Sequence, residues 1–127
     1  MAYVLDTSAL VSYFKDEPEA GQVEMVLRQP DDLMIPFMTV MELRYVLLRA
    51  YSVSHADQII ETLRSCGASV VESSPVWGIQ AAEIKARDGL SLGDAWIASL
   101  ALMHDAELVH KDPEFDRVEG LHSLRLR

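Results

Sequence analysis

The chain has 127 residues, 50% apolar and 24% charged, with a formal net charge of −9. Such a composition excludes a disordered chain and fits one folded domain over residues 1–127. The acidity excludes broad electrostatic adhesion to nucleic acid or anionic membrane, but not a nucleic-acid substrate met through divalent cations.

The segment Ala2–Asp6 reads as a short buried strand. Thr7 or Ser8 then caps a helix carrying Leu10, Val11 and Phe14. Asp16-Glu17-Pro18-Glu19 breaks that helix and starts a second, with Val23, Val26 and Leu27 as its apolar face. Gln29-Pro30-Asp31-Asp32 is a loop, and Leu33–Pro36 a second strand. Thr39 opens a helix with Leu43, Val46, Leu47 and Ala50 inside. Ser54-His55-Ala56-Asp57 opens another, with Ile59, Ile60 and Leu63, and Gly67 is placed for a left-handed cap. Ala68–Glu72 is a third strand. Ser74-Pro75 begins a helix through Ile79, Ala82 and Ile84 that ends near Asp88-Gly89. From Ser91 to His104 the helix has no clear polar face, the mark of a buried helix. Glu107–His110 is the fourth strand, and Leu121–Leu126 alternates as an edge strand does. Strands alternating with helices predict an α/β/α sandwich around a parallel sheet of four to five strands.

Four acids stand where apolar segments meet solvent: Asp6, Glu42, Asp94 and Asp112. Asp6 and Asp112 follow strands; if these strands are parallel neighbours, both acids reach the same rim, where open α/β sheets bind ligands. Glu42 and Asp94 fall in the first turns of helices that can face this rim. Four carboxylates in a poorly solvated cleft repel one another. Hard divalent cations such as Mg2+ or Mn2+, which favour oxygen donors, resolve that conflict, and two can hold the attacking and leaving oxygens of a phosphodiester.

Each acid also has a purely local role open to it. Thr39-x-x-Glu42 and Ser91-x-x-Asp94 have capping-box spacing, and Asp112-Pro113 can start a turn. His55, His104, His110 and His122 lack metal-ligand spacing and are expected at the surface or in local hydrogen bonds. Trp77 and Trp96 are expected in a core or an interface. Arg44 and Arg49 follow Glu42 on one helix, where they are either solvated, as most helix arginines are, or close enough to the acids to touch phosphate. The lone Cys66 excludes an internal disulfide and fits a reducing, cytoplasmic compartment. The sequence shows neither a signal peptide nor an apolar run of membrane-spanning length.

Four motifs in order resemble those of the PIN-domain nucleases, and among them the VapC-type toxins of toxin–antitoxin pairs. They are Val4-Leu5-Asp6-Thr7-Ser8-Ala9-Leu10, Thr39-Val40-Met41-Glu42-Leu43, Leu90 to Ala98 around Gly93-Asp94-Ala95, and Leu108 to Phe115 around Asp112. His110 departs from the threonine or serine frequent there. The resemblance implies Mg2+ or Mn2+ on Asp6, Glu42, Asp94 and Asp112, with Thr7 or Ser8 orienting the first acid. It further implies an RNA substrate, a cognate antitoxin and a homodimer; roles for Glu114 and Asp116 stay unassigned. Unconsumed apolar side chains, Trp77 and Ile79 among them, also favour the homodimer. Two alternatives remain. One is a haloacid-dehalogenase-like phosphatase with Asp6 as nucleophile and Lys111 near it, although Ser8 stands where that class has a second aspartate. The other is a non-catalytic protein-binding module of the same fold.

Overall fold

The computed structural model describes residues 2–126. Five strands form one sheet: β1 (Tyr3–Leu5), β2 (Leu33–Pro36), β3 (Ser69–Val71), β4 (Glu107–His110) and β5 (His122–Arg125). Their order is β3-β2-β1-β4-β5, and every pairing is parallel. The helices are α1 (Thr7–Phe14), α2 (Ala20–Leu27), α3 (Phe37–Ala50), α4 (Val53–Arg64), α5 (Pro75–Asp88) and α6 (Leu92–Met103).

Alternation along the strands divides the core into two layers. Leu5, Ile35 and Val109 pack with side chains of α1 to α4 on one face. Val4, Leu108 and, half-buried, Met34 pack with α5 and α6 on the other. Central strands buried on both faces explain why β1 and β4 read as continuous apolar runs. Helix α6 lies in the second layer, and Ala95, Ile97, Ala98, Leu100 and Ala101 are all buried. Small residues let it approach the sheet closely, which is why its sequence shows no polar face.

Several boundaries differ from the expected ones. Helix α3 opens at Phe37, with Pro36 in extended geometry as its N-cap. Thr39 is therefore inside the helix, where it is buried and donates to the Leu5 carbonyl at 2.9 Å. Helix α4 starts at Val53 because Ser52 caps it, its side chain accepting from the His55 amide. The stretch Pro30–Asp32, expected as a loop, is a 3-10 turn. Gly67 is left-handed as expected, with φ 91°, but two residues beyond the cap Ser65. The edge strand β5 is present at His122–Arg125.

Because β2 and β3 extend from one side of β1 while β4 and β5 lie on the other, the strand order reverses between β1 and β4. The carboxyl ends of these two strands are therefore the usual ligand position in such sheets.

Candidate active site

Asp6 follows β1 directly and is almost fully buried at 4% exposure. Its backbone N–H donates to the Val109 carbonyl of β4, extending the ladder by one bond at 3.1 Å. The carboxylate caps α1, with Oδ2 accepting from the Ser8 amide at 3.2 Å and from the Ser8 hydroxyl. Ser8 Oγ in turn accepts from the Lys111 amide at 3.0 Å. One serine thus ties the exit of β1 to the exit of β4.

Glu42 lies in the second turn of α3, not its first, because that helix begins at Phe37. The capping box with Thr39 does not form, since Thr39 is committed to Leu5. Instead Glu42 Oε1 accepts from Thr7 Oγ1 at 3.3 Å. Gly93 lies beneath the same carboxylate: a Cβ on that glycine would sit 3.1 Å from Glu42 Oε1. Asp94, in the first turn of α6, donates its amide to the N-cap Ser91 at 3.2 Å. Half of that expected cap is therefore made, and the Asp94 carboxylate is still available to the rim.

Asp112 caps the 3-10 segment Pro113–Arg117, its Oδ1 accepting from the Glu114 amide at 2.9 Å. Carboxylate oxygens of Asp94, Asp112 and Glu114 lie within 4.8 Å of one another. Glu114 was legible as an extra acid, but nothing in its spacing pointed to this cluster. Its place follows from the tight turn of the 3-10 segment.

Electrostatics bind Asp6 and Glu42 to the same group. Burial pushes the Asp6 carboxyl above its ordinary range; Ser8 opposes the shift and the charge of Asp112 adds to it. Burial, then the charge of Asp6, raises Glu42. Asp94 is pushed up to about 7, first by burial and then by the charges of Asp6 and Asp112. Without a cation the site holds its charge poorly. The donors are carboxylate oxygens alone, as a hard divalent metal requires, so Asp94, Asp112 and Glu114, with Asp6 beside them, form a fitting set.

The nearby basic residues are otherwise engaged. Lys111 Nζ pairs with Glu19 at 3.1 Å and Glu17 at 3.7 Å, so its ammonium is not held by Asp6. That removes the lysine a phosphatase of the alternative kind would use. Arg44 pairs with Asp57 of α4, and Arg49 bonds the Tyr45 hydroxyl at 3.1 Å. His110 is locally bonded, as expected, but fully buried rather than at the surface. Trp77 is buried in the second core layer, so it is no reserve for an interface; Ile79 is 60% exposed.

The chain matches the PIN domain family model over residues 3–121. No curated protein sequence matches it. Among solved structures it is similar to VapBC-1 of nontypeable Haemophilus influenzae, with 26% identity and a TM-score of 0.76 over 98% of each chain. It is similar to the DNA-bound VapBC of Salmonella typhimurium, with 20% identity and a TM-score of 0.80 over 98% of each chain. It is also similar to Mycobacterium tuberculosis VapC20, a sarcin–ricin loop cleaving toxin. There the identity is 18% and the TM-score 0.79, over 98% of this chain and 99% of that one.

Proposed function

The chain belongs to the PIN domain family, and from that premise we propose that it is a metal-dependent endoribonuclease, the toxin of a VapBC-type pair. The observation that supports this reading is the cluster of Asp94, Asp112 and Glu114 carboxylates, to which Asp6 and Glu42 are tied by charge: burial and then neighbouring charge raise Asp94 and Glu42, and burial raises Asp6. We assign Asp6, Asp94 and Asp112 as metal-binding and catalytic residues, Glu42 as their partner, and Glu114 as a further ligand. Thr7 and Ser8 are supporting residues, since they orient Glu42 and Asp6.

Magnesium or manganese bound there would supply positive charge that activates water and neutralises charge developing on the phosphodiester. The side chains do the rest. Ser8 and Thr7 spend their hydroxyl protons on carboxylates, which favours the ionised acids that a cation needs. The exits of two neighbouring strands, locked through Ser8 and Lys111, hold the acids in fixed positions, and positioning is what such a hydrolysis draws on most.

An RNA substrate is supported by the fold shared with VapC20, and an antitoxin partner by the fold shared with the VapBC complexes. A homodimer is supported by exposed Met41, Tyr45 and Leu48, which follow one another at helical spacing along α3. A cytoplasmic location accords with the single cysteine and with no helix of the described residues being long and apolar enough to cross a membrane. We take residues 1–127 as one nuclease domain.

The deciding experiment incubates the protein with a panel of structured RNAs with manganese and with chelator. Cleavage that needs manganese is expected. Intact RNA in both, from protein that also fails to bind manganese, would favour the non-catalytic module.

A further inference from the structure

We propose that His110 is a positioning residue for the metal cage: its ring holds the Asp112 backbone, and through it the Asp112 and Glu114 carboxylates, in place beside Asp94. The inference rests on the metal reading above and deepens it.

His110 ends β4 and is fully buried. Its main chain is fixed from one side, where the carbonyl accepts from the Leu126 amide at 2.8 Å. Its ring Nδ1 accepts from the Asp112 amide at 3.1 Å. A nitrogen that accepts carries no proton, so in the neutral ring the proton is on Nε2. That Nε2 is buried and has no hydrogen-bond partner among the described residues. Buried donors without acceptors are rare and call for a reason. An apolar side chain would fill the space, pack against Phe115 and bury no unpaired ring N–H.

What such a side chain could not do is accept the Asp112 N–H. At this point the ladder with β1 has ended, and Pro113 has no N–H to share in fixing the chain. The hydrogen bonds then run in series. The ring fixes the Asp112 backbone, and the Asp112 carboxylate accepts from the Glu114 amide at 2.9 Å. Phe115, buried beyond Glu114, meets the ring edge-on with centroids 4.8 Å apart. Asp112 and Glu114 are thus held between two contacts with one imidazole, and both belong to the cluster with Asp94. Groups that orient metal ligands in this way are part of a site's affinity.

The test compares His110→Asn, His110→Gln and His110→Leu in the full chain. Asparagine can place an acceptor where Nδ1 lies. Glutamine reaches instead to the position of Nε2, and leucine offers no acceptor. Manganese affinity is read by electron paramagnetic resonance, and metal-free melting controls for the fold. The expected result is an affinity near the parent's for H110N and one about tenfold weaker for H110Q and H110L, with H110N and H110Q melting alike. Should H110L fail to fold, the asparagine–glutamine pair carries the test, because both are amides and differ in reach. Parental affinity in H110Q, or equal losses in H110N and H110Q, would overturn the proposal. A parent that binds no manganese would instead overturn the metal reading, and this one with it.

Discussion

Two regions built on the same helices obey opposite rules. Helix α3 gives Phe37 to an aromatic junction and Glu42 to the acidic rim; α6 gives Trp96 to the first and Asp94 to the second. In the junction, Phe37, Trp77 and Trp96 meet edge to face with centroids 4.9–5.4 Å apart. The Trp77 indole N–H has two acceptors, the Trp96 carbonyl and Ser99 Oγ, each at 2.8 Å. Local preference and tertiary packing agree there. At the rim, two residues along α6, they conflict: a buried Asp6 stands beside half-buried carboxylates, and desolvation followed by neighbouring charge raises Asp6, Glu42 and Asp94. A folded chain tolerates such a conflict only when the surroundings over-determine it. The junction is the part of the surroundings that locks α3, α5 and α6 together, so it stabilises what the rim destabilises.

The largest expected effect lies in the junction. Trp77→Ala should cost about 3–5 kcal/mol of stability, the usual range for a large buried aromatic. Trp77→Phe keeps most of the packing but loses both indole hydrogen bonds, and should cost about 1 kcal/mol from the missing bonds. Urea unfolding measures both. If Trp77→Ala cost no more than a surface change, the junction would not be the support of the rim.

Next is the rim itself. Asp94→Asn keeps size and can keep an oxygen, so a residue that merely capped α6 would hardly be missed. A ligand would: manganese-dependent RNA cleavage should fall by more than about a hundredfold. Without metal the variant should melt no lower than the parent, because one of the crowded carboxylates has gone. Magnesium should raise the parent's melting temperature more than the variant's, since it stabilises the folded state by mass action. Cleavage at the parental rate would mean the site is misassigned.

The contrast between the regions also explains what was legible in the sequence. The three layers followed from alternating strand and helix patterns. The meeting of Asp6 and Asp112 followed from two apolar runs, each closed by an acid. Such signals are local, and the parallel-sheet rule makes them global. Glu42 was ambiguous because its spacing from Thr39 is also that of a cap. Only the contact of Thr39 with the Leu5 carbonyl, 34 residues away, decides between the two. The burial of His110 and the approach of Glu114 to Asp94 likewise depend on how β4 leaves the sheet. Trp77 could be core or interface by composition alone, and two acceptors on α6 make it core.

A smaller effect should appear with pH. The Asp94 carboxyl is pushed up to about 7 in the fold from an ordinary value of 3.8, so between these values the folded state binds the extra proton. The stability this proton represents is fully present below about pH 3.8 and is lost as pH rises through about 7. The raised Asp6 and Glu42 act in the same direction. Metal requires the ionised acids, so stabilisation by magnesium should grow over the same window. Melting temperatures with and without magnesium should therefore diverge with rising pH by roughly a few degrees. For Asp94→Asn the metal-free curve should be flatter. Parallel curves for the parent would mean that these acids do not hold the ion.

The smallest expected effect, at Gly93, sets helix preference directly against the rim. Gly93 is the second residue of α6, and alanine in a helix interior is favoured over glycine by up to about 1 kcal/mol. On propensity alone Gly93→Ala should stabilise the chain. The new Cβ, however, would lie 3.1 Å from Glu42 Oε1 and 3.3 Å from its Cδ. Those atoms end a flexible side chain, so they can yield by a few tenths of an ångström without unfolding anything. The price falls on position: Glu42 would turn from Gly93 and strain its hydrogen bond from Thr7, 3.3 Å long in the parent. Metal-free melting should thus be unchanged or slightly higher, while manganese affinity falls by a few-fold, toward the lower end of what displaced supporting groups cost. Affinity falls without a loss of stability only if Gly93 is there for the rim. A lower melting temperature with parental manganese affinity would make Gly93 a packing residue and would remove Glu42 from the site.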